Sequence, residues 1–79
     1  MRIDKFLKIS RVLKRRTVAN EACGAGKVKI NGNPVKPSHE VKVGDVVTIR
    51  FGEGEMSFRV EAVKETVKKE DTASLYTIL

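Results

Sequence analysis

The sequence has 79 residues, of which sixteen are Lys or Arg and ten are Asp or Glu, so its formal net charge is +6. A chain of this length buries only about 60% of the surface that it exposes when unfolded, which leaves room for one small domain over residues 1–79. One cysteine and one histidine exclude a disulfide framework and a His/Cys metal site, and we expect no cofactor. The lack of a long apolar run or a secretory signal predicts a cytoplasmic protein that does not associate with membranes.

Residues 2–13 have the spacing of a helix. Ile3, Phe6 and Leu7 fall at positions i, i+3 and i+4, so they form one apolar face. Basic side chains advance by three along the same segment and are expected to share one exposed flank: Arg2, Lys5 and Lys8. The run Lys14–Arg16 breaks the apolar pattern, which predicts a connection or the start of the next helix.

A second helix is predicted over residues 17–25. Gly24 and Gly26 provide its end, one of them in the left-handed conformation that is common after a helix C-terminus. Small or medium side chains allow close packing against a neighbour, and they form the predicted buried side: Val18, Ala19, Ala22 and Cys23.

The hydrophobic period changes from 3.6 to 2 after the second helix. Residues 27–30 alternate between basic and apolar side chains, which predicts a half-exposed strand. Asn31-Gly32 is a strong hairpin signal, because both residues tolerate a positive φ. Residues 33–36 are then expected to return as an edge strand, since Pro34 has no N–H to donate to a neighbouring strand.

A second hairpin, over residues 46–63, follows a connection at residues 37–45. The connection is expected to place Val41 and Val43 in the core, and Gly44-Asp45 to form a turn. The two strands of the hairpin are predicted at residues 46–51 and 56–63. The expected fold class is therefore α+β, with two packed N-terminal helices followed by an antiparallel sheet of about four strands.

The last segment, residues 64–79, begins with charges of both signs and ends with apolar side chains. Asp71 or Thr72 could cap a short helix that runs through Leu75, although the final four residues have equal propensity for a strand. Because this end is too apolar for a free tail, we expect it to pack on the domain or to bind a partner.

Positive charge is concentrated in the first half of the chain. Residues 1–36 carry ten basic and two acidic side chains and so have a charge of +8, whereas residues 37–79 carry six basic and eight acidic side chains, a charge of −2. Such a field attracts polyanions and steers their approach. Nucleic acid is the favoured partner, ahead of anionic lipid or an acidic protein.

Clustered basic residues in this half are the candidate RNA-binding residues. Arginine can hold a phosphate with two hydrogen bonds, and lysine acts as a point charge. Asp4 lies among them and cannot bind phosphate, so we expect it to orient Arg15 or Arg16 or to accept a hydrogen bond from a base or ribose. The candidate set is Arg2, Asp4, Lys5, Lys8, Arg11, Lys14, Arg15, Arg16, Lys27 and Lys29.

Other side chains restrict the chemistry. Phe6, Phe51 and Phe58 fit core positions, so stacking platforms for single-stranded bases are not expected, and structured RNA held through its phosphates is favoured. Cys23 is expected to pack, and His39 to be an exposed bystander in a loop. No nucleophile–base motif or phosphate-binding glycine loop is present, which predicts a protein that is not an enzyme.

Several segments together resemble the S-four RNA-binding domain, over about residues 1–52. They are ArgIleAspLysPheLeu at 2–7, the basic cluster at 11–16, the small-residue helix ending in AlaGly, LysValLysIleAsnGly at 27–32, and Val43-Gly44-Asp45 before a valine-rich strand. The LysArgArgThr junction and the AlaSerLeuTyr tail resemble a stand-alone branch of ribosome-associated quality-control and heat-shock members. The chain departs from many members of the wider family at Arg16-Thr17, where they carry Ser-Arg. Functions carried by the long basic C-terminal extension of the heat-shock members are not expected here.

The resemblance implies binding, as a monomer, to the free large ribosomal subunit that still holds peptidyl-tRNA. Contacts with large-subunit ribosomal RNA and with the tRNA would support template-free C-terminal tailing of stalled chains, together with a nascent-chain tailing factor. Two alternatives remain from the residues themselves. One is a ribosomal RNA assembly or tRNA-binding accessory factor, and the other is a basic protein-interaction module anchored by Leu75–Leu79.

Overall fold

The computed structural model describes residues 1–79 and confirms the α+β class. The two helices are α1 (Ile3–Ile9) and α2 (Arg16–Gly24), and neither is long and apolar enough to cross a bilayer. The strands are β1 (Val28–Ile30), β2 (Asn33–Pro34), β3 (Val46–Phe51), β4 (Gly54–Val60) and β5 (Tyr76–Ile78), with a 3₁₀ helix at Lys69–Leu75 before β5.

The strands form one antiparallel sheet in the order β2-β1-β3-β4-β5. The sheet has five strands rather than about four, because the end of the chain pairs with β4 through the register Phe58↔Ile78 and Val60↔Tyr76. The two alternatives for the last segment therefore both occur, in sequence, as a 3₁₀ helix and then a strand. Leu75, between them, is fully buried, which anchors this segment to the core.

The β1–β2 hairpin forms as predicted. Asn31 and Gly32 have φ angles of 52° and 86°, the pair of positive values that a tight two-residue hairpin requires. Pro34 lies on β2, an edge strand of the sheet. The second hairpin is tighter than predicted, since β4 begins at Gly54 and ends at Val60 instead of running over residues 56–63.

Helix α1 is shorter than the predicted span of residues 2–13. It ends at Ile9, and Arg11 then adopts a left-handed conformation with φ of 63°. The Leu13 N–H donates to the Leu7 carbonyl at 3.0 Å and closes the turn. Val12 and Leu13 therefore pack against the core from the connection and not from the helix. Helix α2 is displaced by one residue from its predicted range.

The core lies between the helix pair and one face of the sheet. Phe58 of β4 stacks on Phe6 of α1 with ring centroids 6.3 Å apart and meets Tyr76 of β5 edge-on at 5.3 Å. Thirteen apolar residues are buried here, and they include the predicted Ala19, Cys23 and Val41. The helices cover one face only, so the other face of the sheet is open to solvent.

Three predicted core residues are exposed instead. Val18 lies on the side of α2 turned away from Ala19 and Cys23, and Val43 comes just before the Gly44 turn. Phe51 is the last residue of β3, paired with Gly54 at the end of the sheet, where it stays 45% exposed. Alternation within a strand predicts which face a residue occupies, but not how far the helix layer extends over that face.

We expect two phenylalanine-to-alanine substitutions to have very different effects on the free energy of unfolding. Phe58→Ala should lower the free energy of unfolding by about 3–5 kcal/mol, because it removes a fully buried ring and leaves a cavity. Phe51→Ala, the matched control on the exposed end of the sheet, should cost under about 1 kcal/mol. Urea unfolding followed by far-ultraviolet circular dichroism measures both, and equal losses would contradict this placement of the core.

Candidate nucleic-acid interface

Asp4 is a buried carboxylate at the border between α1 and α2. It lies in the first turn of α1 beside the apolar face of that helix, and its side chain is 2% exposed. The Lys5 N–H donates to it at 2.8 Å, and Arg2 donates through Nε at 3.2 Å and Nη2 at 3.1 Å. From α2, Asn20 Nδ2 donates at 3.4 Å and Arg16 Nη2 lies 3.6 Å away. The carboxylate thus has partners from both helices.

We refer to Arg2, Asp4, Arg16 and Asn20 as the Asp4 cluster. Arg16 and Asn20 are four residues apart and therefore share one face of α2. Arg2 is held from the other side, because its backbone pairs with Glu40 and the Ile3 N–H donates to the His39 carbonyl at 2.8 Å. The side chains of Arg2 and Arg16 are each 48% exposed. The acid is hidden while both guanidinium groups remain accessible to a ligand.

The pKa of Asp4 is lowered in the folded protein. Burial alone would raise this pKa, but the Asn20 hydrogen bond, the charge of Arg16, the Lys5 N–H and the charge of Arg2 together favour the ionised form more strongly. Asp4 is therefore charged at neutral pH and keeps both arginines in place. An open cleft of about 370 Å³ surrounds the cluster, and its lining includes Thr17 and Glu21 but no apolar side chain.

A second group of candidates lies at the other end of α1. Lys8, Arg11 and Lys14 line a groove together with the segment at residues 65–67. Lys5, on the flank predicted for Arg2, Lys5 and Lys8, is not a free cation, because its ammonium pairs with Glu65. The helical repeat indicated one exposed flank, whereas the C-terminal half of the chain covers part of it.

The remaining three candidates lie apart from these two groups. Arg15 precedes α2 in an extended conformation and borders a shallow cavity with Val18. Lys27 follows α2 directly, with its N–H bonded to the Ala22 carbonyl at 2.9 Å. Lys29 alternates with the buried β1 residues and so projects from the open face of the sheet, on the side opposite the helix pair.

Two residues that contact the candidates were missed in the sequence. Asn20 could have been found, since it lies one helical turn after Arg16 and its amide can accompany an arginine on an acid. Glu65 is sixty residues from Lys5, and no local pattern signals their pairing.

The structure gives little support to catalysis at the reactive side chains. Burial raises the pKa of the Cys23 thiol to about 11, with a further contribution from the charge of Asp4, so the thiol is protonated at neutral pH. This agrees with the packing role expected for Cys23 in the buried side of α2. His39 is exposed in the connection before β3, as predicted, and its carbonyl accepts the Ile3 N–H at the N-terminus of α1. No group of three or more His, Cys, Asp or Glu side chains is arranged to hold a metal ion.

Comparison with known proteins tests the family resemblance that the sequence motifs indicated. The sequence profile of the S4 domain matches residues 1–47. The chain belongs to the S4 domain family. The match covers both helices and the first hairpin, which contain the Asp4 cluster and every other candidate residue of this S4 domain. The resemblance that the motifs indicated is confirmed.

Individual relatives of this S4 domain chain place it in the predicted branch. It is 52% identical over 79 residues to the RQC P-site tRNA stabilizing factor of Bacillus subtilis (strain 168), a match that covers all of this chain and 92% of that protein. It is 36% identical over 75 residues to Heat shock protein 15 of Escherichia coli (strain K12), covering 95% of this chain and 56% of that protein.

A solved structure supports the fold independently. The trimeric structure of Vibrio cholerae Heat Shock Protein 15 superposes on this S4 domain chain with a TM-score of 0.91 at 31% sequence identity. The superposition covers all of this chain and 81% of the other, so the C-terminal strand belongs to the shared architecture as well as the helices.

The buried carboxylate predicts a pH-dependent contribution to stability. Asp4→Asn should lower the free energy of unfolding by about 1–2 kcal/mol at pH 7, because charge-assisted hydrogen bonds become weaker neutral ones. Since the pKa of Asp4 is lowered on folding, its contribution is present above about 3.9, the pKa of an unfolded aspartate, and is lost as the pH falls through the folded value. The difference from wild type should therefore shrink below about pH 4 in urea unfolding at stepwise pH.

Glu21→Gln is the control for that measurement. It removes the same charge from the same cleft, but Glu21 is exposed and forms no ion pair. Its effect should stay within about 0.5 kcal/mol at pH 7. Equal losses for the two variants would mean that Asp4 does not hold the cluster together.

Proposed function

We propose that this chain is an RNA-binding factor of ribosome-associated quality control that stabilises peptidyl-tRNA on the free large ribosomal subunit. The observation that carries the proposal is the Asp4 cluster, in which a buried acid holds two half-exposed arginines on the helical, basic half of the molecule. Relatives named RQC P-site tRNA stabilizing factor share 52% and 49% of residues over nearly the whole chain, which supports the same role here.

The mode of recognition follows from the chemistry of the surface. The guanidinium groups of Arg2 and Arg16 can each offer parallel N–H donors to a phosphate, and their shared partner fixes their relative position. No tryptophan is present, Phe6 and Phe58 are buried, and the exposed Phe51 lies at the end of β3 and not on the helix pair, so base stacking contributes little. Folded RNA, read through shape and phosphate positions, is the ligand class that fits, and the protein acts by binding and not by catalysis.

The finer parts of the proposal concern the RNA molecules that the protein contacts and the process that it supports. Large-subunit ribosomal RNA and the tRNA would both be contacted, and the bound factor would support C-terminal tailing of the stalled chain by a tailing factor in the cytoplasm. A single copy is sufficient for this role, since the Asp4 cluster and the groove beyond α1 are each complete within one chain. The candidate residues named above are its proposed contacts.

Sedimentation tests the assignment directly. Wild-type protein in cell extract should migrate with free large subunits that carry peptidyl-tRNA, and crosslinking should recover mature large-subunit RNA and tRNA. Protein that stays at the top of the gradient would refute the ribosomal role. Crosslinks confined to precursor ribosomal RNA would favour the assembly-factor alternative.

Arg16→Ala should weaken binding to large subunits several-fold without unfolding the protein. The variant removes one guanidinium from the Asp4 cluster, and one phosphate contact corresponds to about fivefold to eightfold in affinity at ~0.1 M salt. Arg59→Ala is the matched control, because Arg59 is 47% exposed and pairs with Glu61 at 2.9 Å on another part of the surface. Equal effects of both variants on binding would mean that net charge matters and the cluster does not.

Salt dependence measures how many phosphates are held. Neutralising about four to six phosphates should give a slope of about −3 to −5 for the logarithm of the binding constant against the logarithm of salt concentration. Arg16→Ala should flatten that slope by about one unit. Titrations with labelled tRNA over a range of potassium chloride concentrations give the slope, and a slope near zero would exclude phosphate contacts as the source of affinity.

A further inference from the structure

A groove at the C-terminal end of α1 is separate from the Asp4 cluster. It has a volume of about 530 Å³ and lies between the α1–α2 connection and the segment at residues 65–67. Lys8, Arg11 and Lys14 supply its cations, Thr66 offers a hydroxyl group, and Ile9, Leu13 and Val67 contribute apolar surface. Two distant parts of the chain are therefore needed to form it.

The charge balance of the groove is strongly positive. None of its three cations forms an ion pair, and its one acid, Glu65, is engaged by Lys5. A neighbouring cavity shares Thr66 and Val67 with the groove and adds two cations, Lys64 and Lys68, and one acid, Asp71. The basic surface thus continues from α1 onto the C-terminal half of the chain, although that half carries net negative charge.

Arg11 has a backbone conformation that glycine would adopt more easily than arginine. It follows Ser10, the C-cap of α1, with φ of 63°, the left-handed position that glycine usually occupies. Side chains with a Cβ atom are disfavoured there, whereas glycine would close the same turn without strain. Lys8 has a structural reason for its place, because a cation is favourable in the last turn of a helix. Arg11 has no such reason and no acidic partner.

We infer that this groove is a second phosphate-binding site for the RNA backbone, in which Arg11 is held in a strained conformation so that its guanidinium meets the ligand. The inference rests on the RNA-binding function proposed above and adds a contact surface that includes the C-terminal segment. The free cations, the accessible hydroxyl group and the open groove suit an RNA backbone, which carries a negative charge at every phosphate.

Two sites at opposite ends of α1 determine how an RNA is oriented. The helix has seven residues, and at 1.5 Å per residue its ends are about 10 Å apart. The Asp4 cluster contacts the RNA at one end and the groove at the other. Two separated contacts fix the direction in which an RNA backbone crosses the helix pair. A single cluster of arginines would leave the RNA free to rotate.

Arg11→Gly tests the inference with a substitution that the fold should accept. Its thermal midpoint should equal or exceed that of wild type, because glycine removes the strain. Its affinity for labelled tRNA or for purified large subunits should fall about fivefold to eightfold at ~0.1 M salt, with a flatter salt dependence. Lys42→Gln is the matched control, since it also removes one positive charge, and Lys42 is exposed and lines neither site.

Glu65→Gln provides the opposite change. Removing the one acid of the groove should strengthen binding to the same probes, whereas Glu53→Gln, in the exposed β3–β4 turn, should have a smaller effect. The groove is excluded as a site if Arg11→Gly behaves like Lys42→Gln and Glu65→Gln behaves like Glu53→Gln while Arg16→Ala still weakens binding. Wild-type protein that binds neither probe would refute the proposed function and this inference with it.

Discussion

The contact on which both fold and interface depend is the one between the buried Asp4 carboxylate and its partners on two helices. An ionised carboxylate loses most of its hydration at 2% exposure, and such a loss is tolerated only where charged and hydrogen-bonding partners replace water. Asn20 and Arg16 provide this from α2, and Arg2 and the Lys5 N–H provide it from α1. Two of the partners that make burial of the acid possible, Arg2 and Arg16, are also arginines that we propose bind RNA. Helix packing and the proposed ligand recognition therefore share residues in this protein.

The two-layer architecture explains why the basic residues fall into separate groups. Helices cover one face of the sheet, and small side chains such as Ala19 and Cys23 let α2 approach that face closely. Cations on the helices and their connection gather around the ends of α1, whereas Lys29 projects from the opposite, open face. A uniform basic surface would bind any polyanion in many orientations. Separate groups at defined distances favour a ligand whose phosphates match their spacing.

Local features of the sequence predicted much of the fold and part of the interface. Features that follow from a single residue type or a short repeat could be predicted from the sequence. They include the change of period after Gly26, the Asn31-Gly32 turn and the position of Pro34. An ion pair of Asp4 with Arg15 or Arg16 was among the roles expected for this acid, and the structure pairs it with Arg16 and also with Arg2. The left-handed Arg11, the Lys5–Glu65 pair and the pairing of the final strand with β4 could not be predicted, since each depends on the completed fold.

The small size of the core limits how many strained or unpaired charged residues the protein can tolerate. Thirteen buried apolar residues in a 79-residue chain provide little stability in excess of what folding requires. A chain with so narrow a margin is not expected to retain an arginine where glycine is favoured, or cations close together without acids, unless binding compensates for them. Arg11, with Lys8 and Lys14 beside it, lies at the C-terminal end of α1, whereas the other left-handed residue that is not glycine, Asn31, lies in a hairpin turn that favours this conformation. The strained Arg11 therefore lies on the surface that we propose binds RNA.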